Sequence, residues 1–221
     1  MEGNIEITVA GHVLNVRMKN TTMKVILLLN VTISFNAFAQ SKTQEKLEQD
    51  FVNAYCNCLK RYATEEPDKI LYSITETCIR NFISDEERIK QMEQVVKERQ
   101  MDSSLSDYEK GRIIGKEMIY NAIDDLVKDC KFYCRTLSEY KSILIGQLKV
   151  TKASADSTIT EFKSKEGSVK DQKSKAMYFS VLGVMYEFVG NKKEALNCYD
   201  KSMEIYPTTQ AKGLGLLLRS E

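Results

Sequence analysis

The side chains whose types and spacing could do chemistry in this 221-residue chain are six cysteines: Cys56, Cys58, Cys78, Cys130, Cys134 and Cys198. Thiolates can hold a metal, exchange disulfides, or cross-link helices once oxidised in pairs. Cys56-x-Cys58 with Cys130-x-x-x-Cys134 could supply four thiolates to zinc, which requires them to stay reduced. A thiol-redox enzyme would place Cys-x-x-Cys at a helix start, where the thiol pKa falls, and that spacing is absent. In an oxidising compartment an even cysteine count reads first as a disulfide framework. The destination of the chain therefore decides the chemistry.

Lys19 and Lys24 precede the apolar run Val25 to Leu29, continued by Val31, Ile33 and Phe35 and ended by Ala37-Phe38-Ala39. A charged region, an apolar region and a small-x-small site in that order read as a secretory signal peptide, cleaved near Ala39 so that the mature chain begins at Gln40. Asn30, Thr32, Ser34 and Asn36 interrupt the run, which is too short and too polar for a membrane span. No cysteine follows the site, so no lipid anchor is expected. Residues 1–17 make the charged region unusually long, and Met18 or Met23 would start a conventional signal. Cleavage removes Arg17, Lys19 and Lys24 against Glu2 and Glu6, which brings 32 basic and 31 acidic side chains to balance. A neutral chain gives no electrostatic reason to bind nucleic acid. His12, the single histidine, leaves with the signal, which excludes Ser-His-Asp and Cys-His hydrolysis and His-ligated zinc from the mature chain. The paired carboxylates Asp124-Asp125 and Glu65-Glu66 point about 100° apart on a helix, and no phosphate-binding glycine loop is present. The chain is expected to be non-enzymatic and without a cofactor.

The elements that must position the cysteines are helical throughout, with two prolines and many Lys, Glu, Leu, Met and Ile. From Thr43 to about Ala63 the line Leu47, Phe51, Ala54, Cys58 and Tyr62 has helical spacing. A second helix is predicted from Pro67 to about Ile83 on Ile70, Ile74, Cys78 and Phe82. Ser84-x-x-Glu87 has capping-box spacing before a polar helix to about Met101, and Ser106-x-x-Glu109 has it again. The next stripe is Ile119, Ile123, Leu126, Cys130, Cys134 and Leu137, with a break suggested at Thr136-x-x-Glu139. Cys58, Cys78, Cys130 and Cys134 thus fall on apolar faces. Cys56 stands about 200° round the helix from Cys58, so the two face different neighbours. The preferred pairing is Cys58 with Cys78, and Cys56 with Cys134 or Cys130. Cys198 is left unpaired or takes whichever remains.

Residues 176–209 lay out as two helices joined at Gly190-Asn191. Phe179, Leu182-Gly183, Tyr186, Ala195, Tyr199 and Pro207 stand where the tetratricopeptide repeat carries its signature, and the segment resembles one unit of about 34 residues. Ser202 is the one departure, a small residue where the family usually has alanine. The resemblance implies that Gly183 and Ala195 let the helices approach while Leu182, Tyr186 and Tyr199 fill the seam. It also implies a binding face on the first helix at Met177, Ser180, Val184, Glu187 and Phe188, although the same face could instead pack on the upstream bundle. About three units are normally needed for stability, and the tail Gln210 to Arg219 looks like a capping helix that Gly213 and Gly215 weaken.

The expected fold is all-α: a cysteine-braced helical bundle followed by a repeat-like helix-turn-helix. Residues 1–39 are the extension and signal, 40–150 the bundle, 151–172 a partly helical connector with Ala155, Ile159 and Phe162 on one side, and 173–221 the hairpin and capping helix. The expected role is a periplasmic or secreted interaction or scaffold module of the bacterial envelope with a protein or peptide partner. The alternatives are self-assembly through the repeat, or a cysteine-ligated metal or thiol-redox protein.

Overall fold

The computed structural model describes residues 5–9, 12–16 and 41–221, in two compact units, Met1–Gln40 and Ser41–Glu221. In the first unit β1 (Ile5–Val9) and β2 (His12–Val16) form an antiparallel hairpin with Ile5 opposite Val16 and Val9 opposite His12. No element was expected there, although Ile5, Ile7 and Val9 alternate with polar residues as a strand does. The predicted signal core and its Ala37–Ala39 site lie outside the described residues.

The second unit is all-α. Its helices are α1 (Lys42–Glu65), α2 (Thr75–Ile83), α3 (Glu86–Glu98), α4 (Asp107–Asp129), α5 (Lys131–Gln147), α6 (Ala155–Ser164), α7 (Gln172–Phe188), α8 (Lys192–Ile205) and α9 (Thr209–Ser220), with 3-10 turns at Leu71–Ile74 and Glu166–Ser168. Among the described residues no helix is long and apolar enough to cross a membrane.

Three helix starts show the local chemistry. Ser41 caps α1 by accepting the Gln44 amide at 3.1 Å. Ser106 and Glu109 form the predicted capping box of α4, each accepting the other's free amide. The box at Ser84 and Glu87 does not form. Asp85 caps α3 instead, accepting from the Glu87 and Arg88 amides, while Ser84 donates to the Asn81 carbonyl. A carboxylate at the positive end of the helix makes the stronger cap.

Pro67 lies in a turn rather than opening a helix, and Ile70 is 48% exposed while Leu71 is fully buried. The start is delayed because Glu139 of α5 accepts the otherwise free Tyr72 amide at 2.9 Å, setting a 3-10 turn before α2. The Thr136-x-x-Glu139 break also fails: both residues lie within α5, and the chain breaks at Cys130, whose ψ of 89° separates α4 from α5.

In α1 the buried line is Leu47, Phe51, Tyr55 and Leu59, with Ala54 exposed and Cys58 and Tyr62 half-buried. α1 packs on α2, α3, α4 and α5. The core so formed is continuous with Val184 of α7, Ala195 and Tyr199 of α8, and Leu214, Leu217 and Leu218 of α9. Bundle and hairpin therefore share one core within a single unit, and the boundaries at 150 and 172 do not separate compact bodies. The connector helix α6 belongs to a second, smaller core with Ala155 and Ile159 against Tyr178, Phe179, Leu182, Met185 and Cys198. Phe162 stacks on Tyr178 at 4.6 Å, and the Tyr178 hydroxyl donates to the Phe162 carbonyl.

Helix α9 is better built than its two glycines suggest. A Cβ at Gly213 would stand 2.9 Å from the Tyr133 hydroxyl and 3.2 Å from Leu137, so the missing side chain lets α9 lie against α5. Lys212 fastens the same helix to α4, donating to the Tyr120 carbonyl at 2.9 Å and pairing with Asp124.

Candidate functional site

The cysteines sort into two bridges and two thiols. Cys58 of α1 joins Cys78 of α2, as preferred from sequence, with Cα atoms 5.8 Å apart. Cys56 joins Cys130, also at 5.8 Å between Cα atoms. Cys134 is a free thiol, which corrects its candidacy as a disulfide partner. The chain break puts Cys130 at the α4–α5 junction facing α1, while Cys134, a turn further on, turns back and donates to the Val127 carbonyl at 3.3 Å. The four sulfurs of the zinc alternative are thereby divided between separate bridges and a lone thiol. Among the described residues no group of three His, Cys, Asp or Glu is placed to hold a metal. Cys198 is buried and free, and burial, with Glu194 adding, pushes its thiol up to about 11. Burial raises the Cys134 thiol as well. Both shifts reduce the thiolate fraction on which nucleophilicity depends.

The paired carboxylates are engaged one residue at a time: Asp124 with Lys212, and Glu66 with Lys69 at 2.8 Å.

The helical pair expected at 176–209 is present as α7 and α8. Asn191 caps α8 by accepting the Glu194 amide, and Gly190 makes the turn at φ +78°, where a side chain would be strained. Tyr206 is extended ahead of Pro207, which ends α8 at Ile205. Ala195 is fully buried in the seam, and Phe179 and Leu182 are nearly so. The role of Gly183 is more specific than backbone approach. A Cβ there would lie 2.6 Å from Tyr199 Cε1, so glycine makes room for the buried Tyr199 ring. Gly215 of α9 faces the same residue, with its Cβ position 3.5 Å from Tyr199 Cβ. Ser202, the departure from the family pattern, is fully buried; its hydroxyl donates to the Ala176 carbonyl at 2.7 Å and meets Ser180 Oγ at 3.0 Å. Tyr186 is half-buried and touches both cores.

The expected binding face is divided. Met177 is 54% exposed, whereas Ser180 and Val184 are buried at 5% and 1%. Ser180 faces α8, its hydroxyl against Ser202 Oγ at 3.0 Å, and is turned away from solvent. Val184, Glu187 and Phe188 instead form one wall of an open cleft of about 450 Å³, opposite Ser138, Lys141, Ser142 and Ile145 of α5. At its floor Lys141 pairs with Glu187, whose other oxygen accepts the Tyr199 hydroxyl at 2.9 Å. Burial and the Glu187 carboxylate hold the Tyr199 phenol well above its ordinary value. The α5 wall escaped the sequence reading, yet 138, 141, 142 and 145 are spaced as one helix face. Its mixed polar character hid it from a search for apolar stripes. No protein-family model, curated protein or solved structure matches the chain.

Proposed function

We propose that this chain is an exported, disulfide-braced helical scaffold with a tetratricopeptide-like C-terminal hairpin, acting by holding a protein segment rather than by catalysis. The observation that carries this is the open cleft between α5 and α7. It offers the apolar surface of Ile145 and Phe188 above the Lys141–Glu187 pair, the mixture of apolar contact and fixed polar groups that an extended peptide requires. The two bridges support an extracytoplasmic site of action, since such bonds persist in oxidising compartments. The raised pKa of both free thiols, Cys198 buried and Cys134 half-buried, and the pairing of Asp124 and Glu66 with lysines support a non-catalytic reading.

Ser142 is exposed on the cleft rim, so Ser142→Arg should block the cleft without disturbing the core. A partner recovered with the wild-type protein from the native envelope, and lost from Ser142→Arg at unchanged Tm, is the expected result. A partner retained by Ser142→Arg refutes the cleft. Recovery of only a second copy of the chain, with a doubled mass by light scattering, replaces this reading with self-assembly.

A further inference from the structure

Each bridge has one half-buried and one buried cysteine: Cys58 with Cys78 at 2% exposure, and Cys56 with Cys130 at 1%. Exposure alone therefore does not distinguish them, but their surroundings do. Cys58 and Cys78 both line an open cleft of about 410 Å³, shared with Asn57, Arg61, Asn81 and Arg88. Arg88 is matched by Asp50 at 2.6 Å. Asp85, the carboxylate in the cleft wall, accepts two amides at the start of α3. Arg61 leans on the Tyr62 ring at 5.2 Å, makes no ion pair among the described residues and follows Cys58 by one turn on α1, so the free guanidinium stands nearest the reachable sulfur, while the Asp85 carboxylate of the same cleft is held at the start of α3. The bridges also close loops of different length, with sequence separations of 20 and 74, and the longer loop resists opening more.

We propose that the Cys58–Cys78 bridge is a thiol–disulfide exchange site for small thiols carrying a carboxylate, while Cys56–Cys130 is a permanent brace. The incoming thiolate attacks Cys58 Sγ, the more exposed sulfur. The Cys58–Cys78 bond breaks, and its electron pair leaves on Cys78 Sγ, which takes a proton from water. A second thiolate attacks the small-molecule sulfur of the mixed disulfide, forming the oxidised small molecule and releasing Cys58 as thiolate. Two thiols are oxidised and one protein disulfide is reduced. Arg61 raises the local concentration of the anionic reagent.

The test uses the full oxidised chain, treated at equal thiolate concentration with 3-mercaptopropionate, neutral 2-mercaptoethanol or cationic cysteamine. Samples are quenched in acid, alkylated and mapped by mass. Cys58 and Cys78 should be labelled while Cys56–Cys130 is intact, with the trapped mixed disulfide on Cys58. Arg61→Gln should slow 3-mercaptopropionate by about fivefold, the effect of one charge pair near contact in water, and leave 2-mercaptoethanol unchanged. Earlier or simultaneous opening of Cys56–Cys130, a mixed disulfide on Cys78, Cys56 linked to Cys134, or equal slowing of all three thiols overturns the proposal. These outcomes are read on purified oxidised protein, so they stand apart from whether a peptide occupies the α5–α7 cleft.

Discussion

Replacing glycine by alanine at two helical positions should move stability in opposite directions. At Gly115, in the interior of α4, an added Cβ meets nothing within 4 Å. Only the backbone term acts there, and Gly115→Ala should stabilise by about 0.5–1 kcal/mol. At Gly183 the same propensity gain is opposed by a Cβ placed 2.6 Å from Tyr199 Cε1 and 2.8 Å from Cδ1. The ring cannot swing aside. It is fully buried, its hydroxyl is held by Glu187, and Gly215 closes the other side of the residue. Overpacking of this kind costs about 1–3 kcal/mol, so the net loss for Gly183→Ala is about 1–2 kcal/mol. For a chain of this size the Tm should fall by about 2–8 °C at Gly183 and rise by about 1–4 °C at Gly115. Thermal melts by circular dichroism, on oxidised protein in one buffer, measure both. A double-mutant cycle with Tyr199→Leu should show positive coupling to Gly183→Ala, because the smaller side chain frees the space. If Gly183→Ala raises the Tm as Gly115→Ala does, the hairpin seam is not packed around Tyr199.

Other substitutions and measurements test neighbouring parts of the structure. Replacing Cys56 and Cys130 by alanine should cost about 4 kcal/mol, and replacing Cys58 and Cys78 about 3 kcal/mol, from the loops they close; denaturant melts that reverse this order contradict the pairing. Protein from an oxidising compartment should show two free thiols after denaturation, mapped to Cys134 and Cys198. With its thiol held near 11 against an ordinary value of 9.0, native Cys198 should alkylate about 100-fold more slowly below pH 9 than in the denatured chain, and its rate should climb as pH rises toward 11. Asp85→Ala should cost about 1 kcal/mol through the lost cap on α3, while Ser84→Ala should be close to neutral. Intact mass of the native product should begin at Gln40; a species that keeps Val25 to Ala39 refutes export.

How far the sequence was readable depended on what each signal measures. Periodicity reports which side of a helix is buried, and it located α1, α4 and α6, while the α7–α8 pair was expected from its resemblance to a repeat unit. It did not report where a chain bends between two helices of the same polarity. Cys130 continued the stripe of Leu126 and Cys134, so the break that aims it at Cys56 was invisible. Local caps were readable where both partners lie in the same turn, as at Ser106 and Glu109. They were not readable where the acceptor comes from far along the chain, as Glu139 does for the Tyr72 amide across 67 residues. A glycine in an apolar tail looked like weakness because composition cannot show what stands opposite. Gly213 and Gly215 prove to be the positions at which α9 meets Tyr133 and Tyr199.

Glu187 shows most clearly what the α7 sequence alone does not reveal about the expected binding face. From the α7 helix alone it is a surface carboxylate among apolar neighbours, as a residue that greets a ligand would be. In the fold its two oxygens are taken, one by Lys141 from the bundle and one by Tyr199 from the second hairpin helix. It therefore ties three helices, α5, α7 and α8, at the floor of the cleft. Replacing it with glutamine would leave the Lys141 ammonium, only 18% exposed, without its counter-charge. On the proposed reading, a ligand in the cleft would meet a pair whose charges are already balanced, and would be selected by shape and by Phe188 and Ile145 more than by charge. The same tie couples bundle to hairpin, so a peptide that displaces α5 from Glu187 would have to replace the Lys141 ion pair, while the Tyr199 hydrogen bond stays within the hairpin. That cost favours occupants that lie across the cleft mouth over any that insert between the helices.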